Sequence, residues 1–378
     1  MPRLGRREAG RSPRDDPTPK REPRRPFCEG AQPLRYRRIA LTIVAAGALT
    51  VTTSMSASAT PPTSAGAAPS TIAVIGDIPY GAEKIAAFPA DIAKINADPD
   101  VSLVTHLGDI KNGSSLCSDS YFATIKADFD QFQDPLVYTP GDNEWTDCHR
   151  ANNGGYVPTE RLAALRRLFF PVPGRTLGVN AKSVITQASN PAYAAFVENT
   201  MWTQSGVVFS TLNIPGSNND LGPWFGVTPL SADQQNEYST RLDATLSWIN
   251  TAFNTARQTG APGVALLLQA DMWDTSALAA GGDGLTGYDA IVKRIGTLAG
   301  HFGKPVLLLE GDSHVFRVDH PFTRTDPLYG IHPLAPKDLE APNVTRIVVD
   351  GSGQANDYLK LGIDPSAPAV FSWSRVNF

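Results

Sequence analysis

Cysteine is scarce in this chain, with three in 378 residues, and no C-x-x-C spacing occurs. That argues against a thiolate-built structural zinc site. Long apolar runs are missing too: the run at 39–51 falls short of the roughly 20 residues a membrane-spanning helix needs. No repeat and no second linker divides the chain, so a single large domain is expected. Basic residues are sparse outside the N-terminus. Residues 1–38 hold 12 of the 33 Lys/Arg and 5 of the 37 Asp/Glu, leaving 33−12 = 21 basic against 37−5 = 32 acidic residues, a net of −11. An acidic body of this kind has no footprint for nucleic acid, which needs clustered Lys/Arg.

The N-terminus has its own logic. A basic stretch, the apolar run 39–51 and then Ala57-Ser58-Ala59 follow the order of an n-region, an h-region and a cleavage site, as in a secretory signal. Residues 1–59 are therefore expected to be an extension and signal peptide removed after Ala59, with an uncleaved anchor as the alternative. Residues 60–69 read as a flexible lead-in and 70–378 as the domain, placed outside the cytoplasm with no stable membrane span. Cys28 leaves with the signal. Cys117 and Cys148 remain, an even pair in an oxidising compartment, and a disulfide is expected; a two-thiolate metal site is the rival reading.

Continuous β-branched and Leu runs at 71–75, 101–107, 136–140, 264–268 and 305–310 read as strands buried on both faces. Stretches 206–214 and 344–349 add further strands. Helical spacing marks 82–97, 119–132, 159–169, 231–257 and 285–301, with Ser231 and Thr159 as N-cap candidates. Alternating strands and helices predict an α/β domain with a largely parallel sheet. Each of the five strands delivers an aspartate just past its carboxyl end: Asp77, Asp109, Asp142, Asp271 and Asp312. A glycine precedes four of them and lets the chain turn sharply. Gly-Asp is an ordinary turn dipeptide taken singly, but carboxylates converging on one edge repel one another unless a cation balances them. His106, inside a strand, reads as a core histidine, and Trp248 and Phe253 as core. The polar loop 213–220 is either a surface turn or a substrate-contacting loop.

The blocks Asp77-Ile78-Pro79, Gly108-Asp109-Ile110-Lys111-Asn112, Gly141-Asp142-Asn143-Glu144, Asp271 and Gly311-Asp312-Ser313-His314 resemble, in order and strand context, the motifs of the calcineurin-like metallophosphoesterases, with a layout similar to the purple acid phosphatases. The resemblance implies a β-sandwich flanked by helices in four layers, α/β/β/α, and two divalent metal ions. It implies Asp77 on the first ion, Asp109 bridging both, and Asp142, Asp271, Asp312 and His314 as further ligands. Asn143, Glu144 and His314 are then the polar groups nearest the reacting phosphate. The sequence departs from the pattern in instructive places. Pro79 stands where many members carry a histidine ligand. Asn143 replaces the histidine that assists the leaving group, and losing such an acid costs about 10²- to 10⁴-fold in rate. Carboxylates in place of imidazoles favour Mn²⁺, Mg²⁺ or Ca²⁺ over Zn²⁺. The expected function is a metal-dependent phosphoesterase acting on a small phosphorylated substrate. The alternative is a protein of the same fold that binds metal or a ligand without hydrolysis.

Overall fold

A computed structural model describes residues 67–332 and 334–378. The signal and extension assigned to 1–59, and residues 60–66 of the lead-in, lie outside the described residues. In chain order the elements are β1 (Ser70–Ile75), α1 (Gly81–Asn96), β2 (Val101–His106), α2 (Asp119–Phe129), β3 (Leu136–Tyr138), α3 (Pro158–Phe169), β4 (Ile185–Thr186), β5 (Thr200–Gln204) and β6 (Val207–Thr211). Then come α4 (Ala232–Thr259), β7 (Val264–Leu267), α5 (Asp289–Phe302), β8 (Val306–Glu310), β9 (Arg317–Asp319), β10 (Val344–Val348), β11 (Asp357–Ile363) and β12 (Phe371–Asn377).

Two sheets form, ordered β12-β11-β1-β2-β3 and β4-β5-β6-β7-β8-β10-β9. Each has a parallel centre, β1-β2-β3 in one and β6-β7-β8-β10 in the other, edged by antiparallel strands. The period-2 alternation of strand side chains sorts the apolar residues into three layers. Ile72 and Val74 of β1, Ala265 and Leu267 of β7, and Leu307 and Leu309 of β8 pack between the sheets. Ala73 and Ile75 turn the other way, onto Phe88, Ile92, Phe122, Phe129 and Leu165 of α1–α3. Val264, Leu266, Val306 and Leu308 meet Trp248, Ile249, Phe253, Ile291 and Ile295 of α4 and α5. The fold class is thus the four-layer α/β/β/α sandwich that the resemblance implied. The apolar runs alone point to one largely parallel sheet. They miss β5, β11 and β12, whose polar residues, such as Thr200, Thr203, Gln204, Asp357, Lys360, Ser372, Ser374 and Arg375, leave no continuous apolar run.

Helix boundaries follow local chemistry. Ser231 caps α4 by accepting from the Gln234 N–H at 3.2 Å, as expected. Thr159 does not cap α3; Pro158 takes the first helical position, where its fixed φ suits the helix and its missing N–H costs nothing. Cys117 and Cys148 are bridged, with Cα atoms 5.8 Å apart. The bridge ties the loop after β2 to the loop after β3, the two loops that carry Asp109 and Asp142. Closing 31 residues contributes roughly 3–4 kcal/mol by restricting the unfolded chain.

Candidate metal centre

The parallel strands of both sheets end on one side of the sandwich. Asp77, Asp109 and Asp142 follow β1, β2 and β3, while Asp312 and His314 follow β8 of the other sheet. One oxygen or nitrogen from each of Asp77, Asp109 and His314 lies within 4.8 Å of the others, and the same holds for Asp109, Asp142 and Asp312. Asp109 is the member common to both groups. Asp77, Asp109 and Asp142 are buried and Asp312 is half-buried, and they line or adjoin a cavity of about 450 Å³ that opens to solvent.

Backbone geometry makes the convergence possible. Asp77, Asp109, Asp312 and His314 all sit at positive φ, between 53° and 72°, a region that costs a non-glycine residue about 1–2 kcal/mol. Hydrogen bonds offset it: the Asp77 N–H donates to the Gly108 carbonyl at 2.9 Å, and the Asp312 N–H to Asp77 Oδ1 at 2.9 Å. Gly108 makes the expected turn, at φ 100°, whereas Gly141 and Gly311 have a different use. A Cβ on Gly141 would lie 2.1 Å from Asp109 Oδ1, and one on Gly311 would lie 2.1 Å from Asp77 Oδ2. Glycine there leaves room for the carboxylates.

The hydrogen bonds define each carboxylate's freedom. Asp109 Oδ2 accepts from Asn143 Nδ2 at 2.7 Å and from the Tyr80 hydroxyl at 2.9 Å, and its Oδ1 accepts from the Asn143 N–H at 3.1 Å. Asp142 accepts from Ser217 Oγ and Gln269 Nε2. Asp77 Oδ2 is buried with no hydrogen-bond partner among the described residues, and such an orphan is costly unless something else satisfies it. His314 Nε2 lies 3.4 Å from Asp77 Oδ1. Hard oxygen donors in two groups sharing one carboxylate, with an orphaned lone pair among them, fit a pair of divalent cations.

Two residues expected at the centre have other employment. Asp271 is outside both groups: its carboxylate pairs with the buried Arg346, and only its N–H reaches the centre, donating to Asp312 Oδ2 at 3.2 Å. Gln269, two residues earlier, is turned inward instead; its Oε1 accepts from the Gly216 N–H at 2.6 Å. Glu144 does not line the cavity. One of its oxygens accepts from the N–H groups of Asp109 and Gly141 and from the Tyr138 hydroxyl, so it braces the turns after β2 and β3. Tyr80, Asp274, Asp283, Tyr288 and Ser352 are among the cavity residues that sequence reasoning did not single out. Tyr80 follows the first aspartate by three positions, a spacing with no period to mark it. Ser217 belongs to the polar loop 213–220. That loop is not a surface turn: residues 217–220 run through a left-handed turn (φ 51–68°). Asn218 and Asn219 bond to Gly287 there, and Gln234 bonds to the Asp220 carbonyl. His106 is a core histidine as expected, with Nε2 donating to the Ile78 carbonyl at 3.0 Å.

Burial pushes Asp77, Asp109 and Asp312 above the usual carboxylate range, and for Asp109 the charges of Asp142, Glu144 and Asp77 add to it. Burial alone would lower His314, but the hydrogen bond and charge of Asp77 outweigh it and raise the imidazole. All four raised groups favour the protonated native state. The stability they lend is fully present below their unfolded pKa values and is lost as pH rises through the folded ones. Cations need the deprotonated carboxylates and displace those protons. Thermal unfolding should therefore show Tm of chelated protein falling between pH 5 and pH 8, while the rise in Tm caused by Mn²⁺ grows over the same window. A cation-induced rise that is equal at both pH values would dismiss these carboxylates as the ligands.

Neither a family model nor a curated protein matches the sequence. Among solved structures the chain is similar to GAP50, the anchor in the inner membrane complex of Plasmodium, at 10% identity and TM-score 0.41, covering 82% of this chain and 89% of that one. It is also similar to the NAD nucleotidase of Haemophilus influenzae, at 15% identity and TM-score 0.40, covering 81% of this chain and 55% of that one. The 5'-nucleotidase precursor from Thermus thermophilus follows at 11% identity and TM-score 0.38, covering 82% and 54%. The chain spans about half the length of these two nucleotidase chains, and its function is read from its own side chains.

Proposed function

We propose that this chain is a metal-dependent phosphoric ester hydrolase, exported after cleavage near Ala59, that acts on a small phosphorylated substrate. The observation that carries the reading is Asp109, one buried carboxylate placed in both candidate ligand groups. Asp77 and His314 would complete one cation site and Asp142 and Asp312 the other. The all-oxygen second site favours Mn²⁺, Mg²⁺ or Ca²⁺ over Zn²⁺. When bound, such a pair polarises phosphoryl oxygens and lowers the pKa of water. The chain's own residues do the positioning. Asn143 Nδ2 bonds both Asp109 and the Tyr80 hydroxyl, so it would reach a phosphoryl oxygen only by giving up one of those bonds, and it has no proton to transfer. Tyr80 is kept protonated, because burial and the charges of Asp109 and Asp77 push its hydroxyl well above the ordinary tyrosine value. It is the second donor at that spot. Glu144 and Gln269 hold the loops that aim Asp109 and Asp142.

The test is hydrolysis of aryl phosphate mono- and diesters by the chain with Mn²⁺, Mg²⁺, Ca²⁺ or Zn²⁺, with and without chelator. Turnover that requires a divalent ion is the expected result. A non-catalytic binder is the second reading, favoured by the Asn143 amide, which is already engaged by Asp109 and Tyr80. Cation binding without turnover on any ester would select it.

A further inference from the structure

The cavity has a charge problem that its ligand groups do not solve. Seven aspartates line it: Asp109, Asp142, Asp147, Asp271, Asp274, Asp283 and Asp312. Asp271 is already paired with Arg346, and two divalent ions would supply +4 against the remaining six carboxylates, so an incoming phosphate dianion would still meet net negative charge. Among the described lining residues the only arginine or lysine is Arg150.

Arg150 is placed to matter. Its Nη1 pairs with Asp147 Oδ2 at 2.7 Å, and the side chain remains 42% exposed. Its Nη2 lies 3.5 Å from Ser217 Oγ, which itself donates to Asp142 Oδ2 at 2.9 Å. The guanidinium is thus one hydroxyl removed from a candidate ligand. Gly113 locates its other side: a Cβ built there would lie 3.0 Å from Asn143 Oδ1 and 4.0 Å from Arg150 Nη1. Arg150 Nη1 and Asn143 Oδ1 therefore both lie beside Gly113 in the wall of the cavity. The backbone beneath is held, since the Asn153 and Gly155 N–H groups both donate to the Arg150 carbonyl and Cys148 is bridged to Cys117. A guanidinium has five N–H donors in a fixed fork, and one anchored by a carboxylate keeps the rest for a second anion.

We propose that Arg150 is a substrate-contacting residue that binds the phosphoryl oxygens of the ester beside Asn143, supplying the positive charge that the asparagine lacks. The proposal rests on the hydrolase reading above. Because a guanidinium does not give up its proton at ordinary pH, Arg150 stabilises charge and does not act as an acid. Esters with good leaving groups should accordingly be the preferred substrates.

The test is calorimetric binding of inorganic phosphate to the Mn²⁺-loaded chain, alongside metal content and aryl phosphate turnover. Arg150→Ala should keep its Mn²⁺ and weaken phosphate binding about tenfold or more, with kcat/KM falling about 10²- to 10³-fold. Arg150→Lys, which keeps the charge and loses the fork, should fall between. Asp147→Asn controls for the loop, because it breaks the same ion pair and leaves Arg150 in place; its phosphate affinity should hold or rise. Phosphate binding by Arg150→Ala within twofold of the wild type, at equal Mn²⁺ content, overturns the proposal alone. An equal loss in Asp147→Asn overturns it too, by assigning the effect to the loop. A wild-type chain that binds none of Mn²⁺, Mg²⁺, Ca²⁺ or Zn²⁺ overturns the hydrolase reading and this inference with it.

Discussion

Asp109→Asn is expected to abolish the cation-induced rise in Tm and to lower metal-dependent ester hydrolysis by at least about 10²-fold. Asp109 is the one carboxylate within reach of both ligand groups, so its loss disables two sites where Asp77→Asn or Asp312→Asn disables one. A cation held at a hundred times its Kd stabilises the native state by about 2.7 kcal/mol. In a domain of this size that amounts to roughly 4 °C, above the noise of a melting experiment. The chelated variant should differ little from chelated wild type, because two effects oppose. Neutralising one of four crowded carboxylates relieves repulsion. Yet Asp109 accepts from three donors across both oxygens, and an asparagine amide must turn its NH₂ toward one of them. The readout is therefore the difference between loaded and chelated melting curves. If Asp109→Asn keeps that difference and its turnover, the shared-ligand assignment is wrong.

The second large effect lies behind the site. Arg346 on β10 is fully buried and holds three acids: Asp271, Glu310 at 3.0 Å and Asp319 at 2.6 Å. It also stacks over Trp273 at 5.4 Å. Removing the cation from such a group strands buried carboxylates, which costs about 3–5 kcal/mol, so Arg346→Met should lower Tm by roughly 5–8 °C. The deficit should depend on pH in a definite direction. Burial holds the Glu310 pKa at about 8 even with the Arg346 charge beside it. A carboxyl raised above its unfolded value lends stability below about pH 4.5 and loses it as pH rises through the folded value. Without Arg346 that value moves higher, so the two stability curves part only as pH passes the wild-type value, and the deficit should widen from about pH 7 to about pH 9. Urea unfolding at the two pH values measures it, and a deficit under about 1 kcal/mol that ignores pH would refute the ion-pair account. Because the Asp271 N–H donates to Asp312 Oδ2, the variant should also bind Mn²⁺ less tightly.

What the sequence by itself determined is the part written in short-range patterns. Residues 71–75 and 305–310 are continuous apolar runs because their strands are buried on both faces, and each run ends in Gly-Asp where the chain leaves its sheet. Cys117 and Cys148, the two cysteines among the described residues, are bridged as expected. Ser231 caps α4 through a bond spanning three residues. Tertiary structure decided which acids face one another. Asp271 and Gln269 lie two residues apart beyond β7, and nothing local distinguishes them. Arg346, 75 positions away, claims the aspartate and leaves the glutamine to hold Asp142. Glu144 sits inside the most site-like motif of the chain, yet it faces inward because two backbone N–H groups and a tyrosine hydroxyl need an acceptor there. Period and spacing encode the face and the end of an element. Which buried charge meets which partner is fixed only when the two sheets pack and desolvation forces every acid to find a donor.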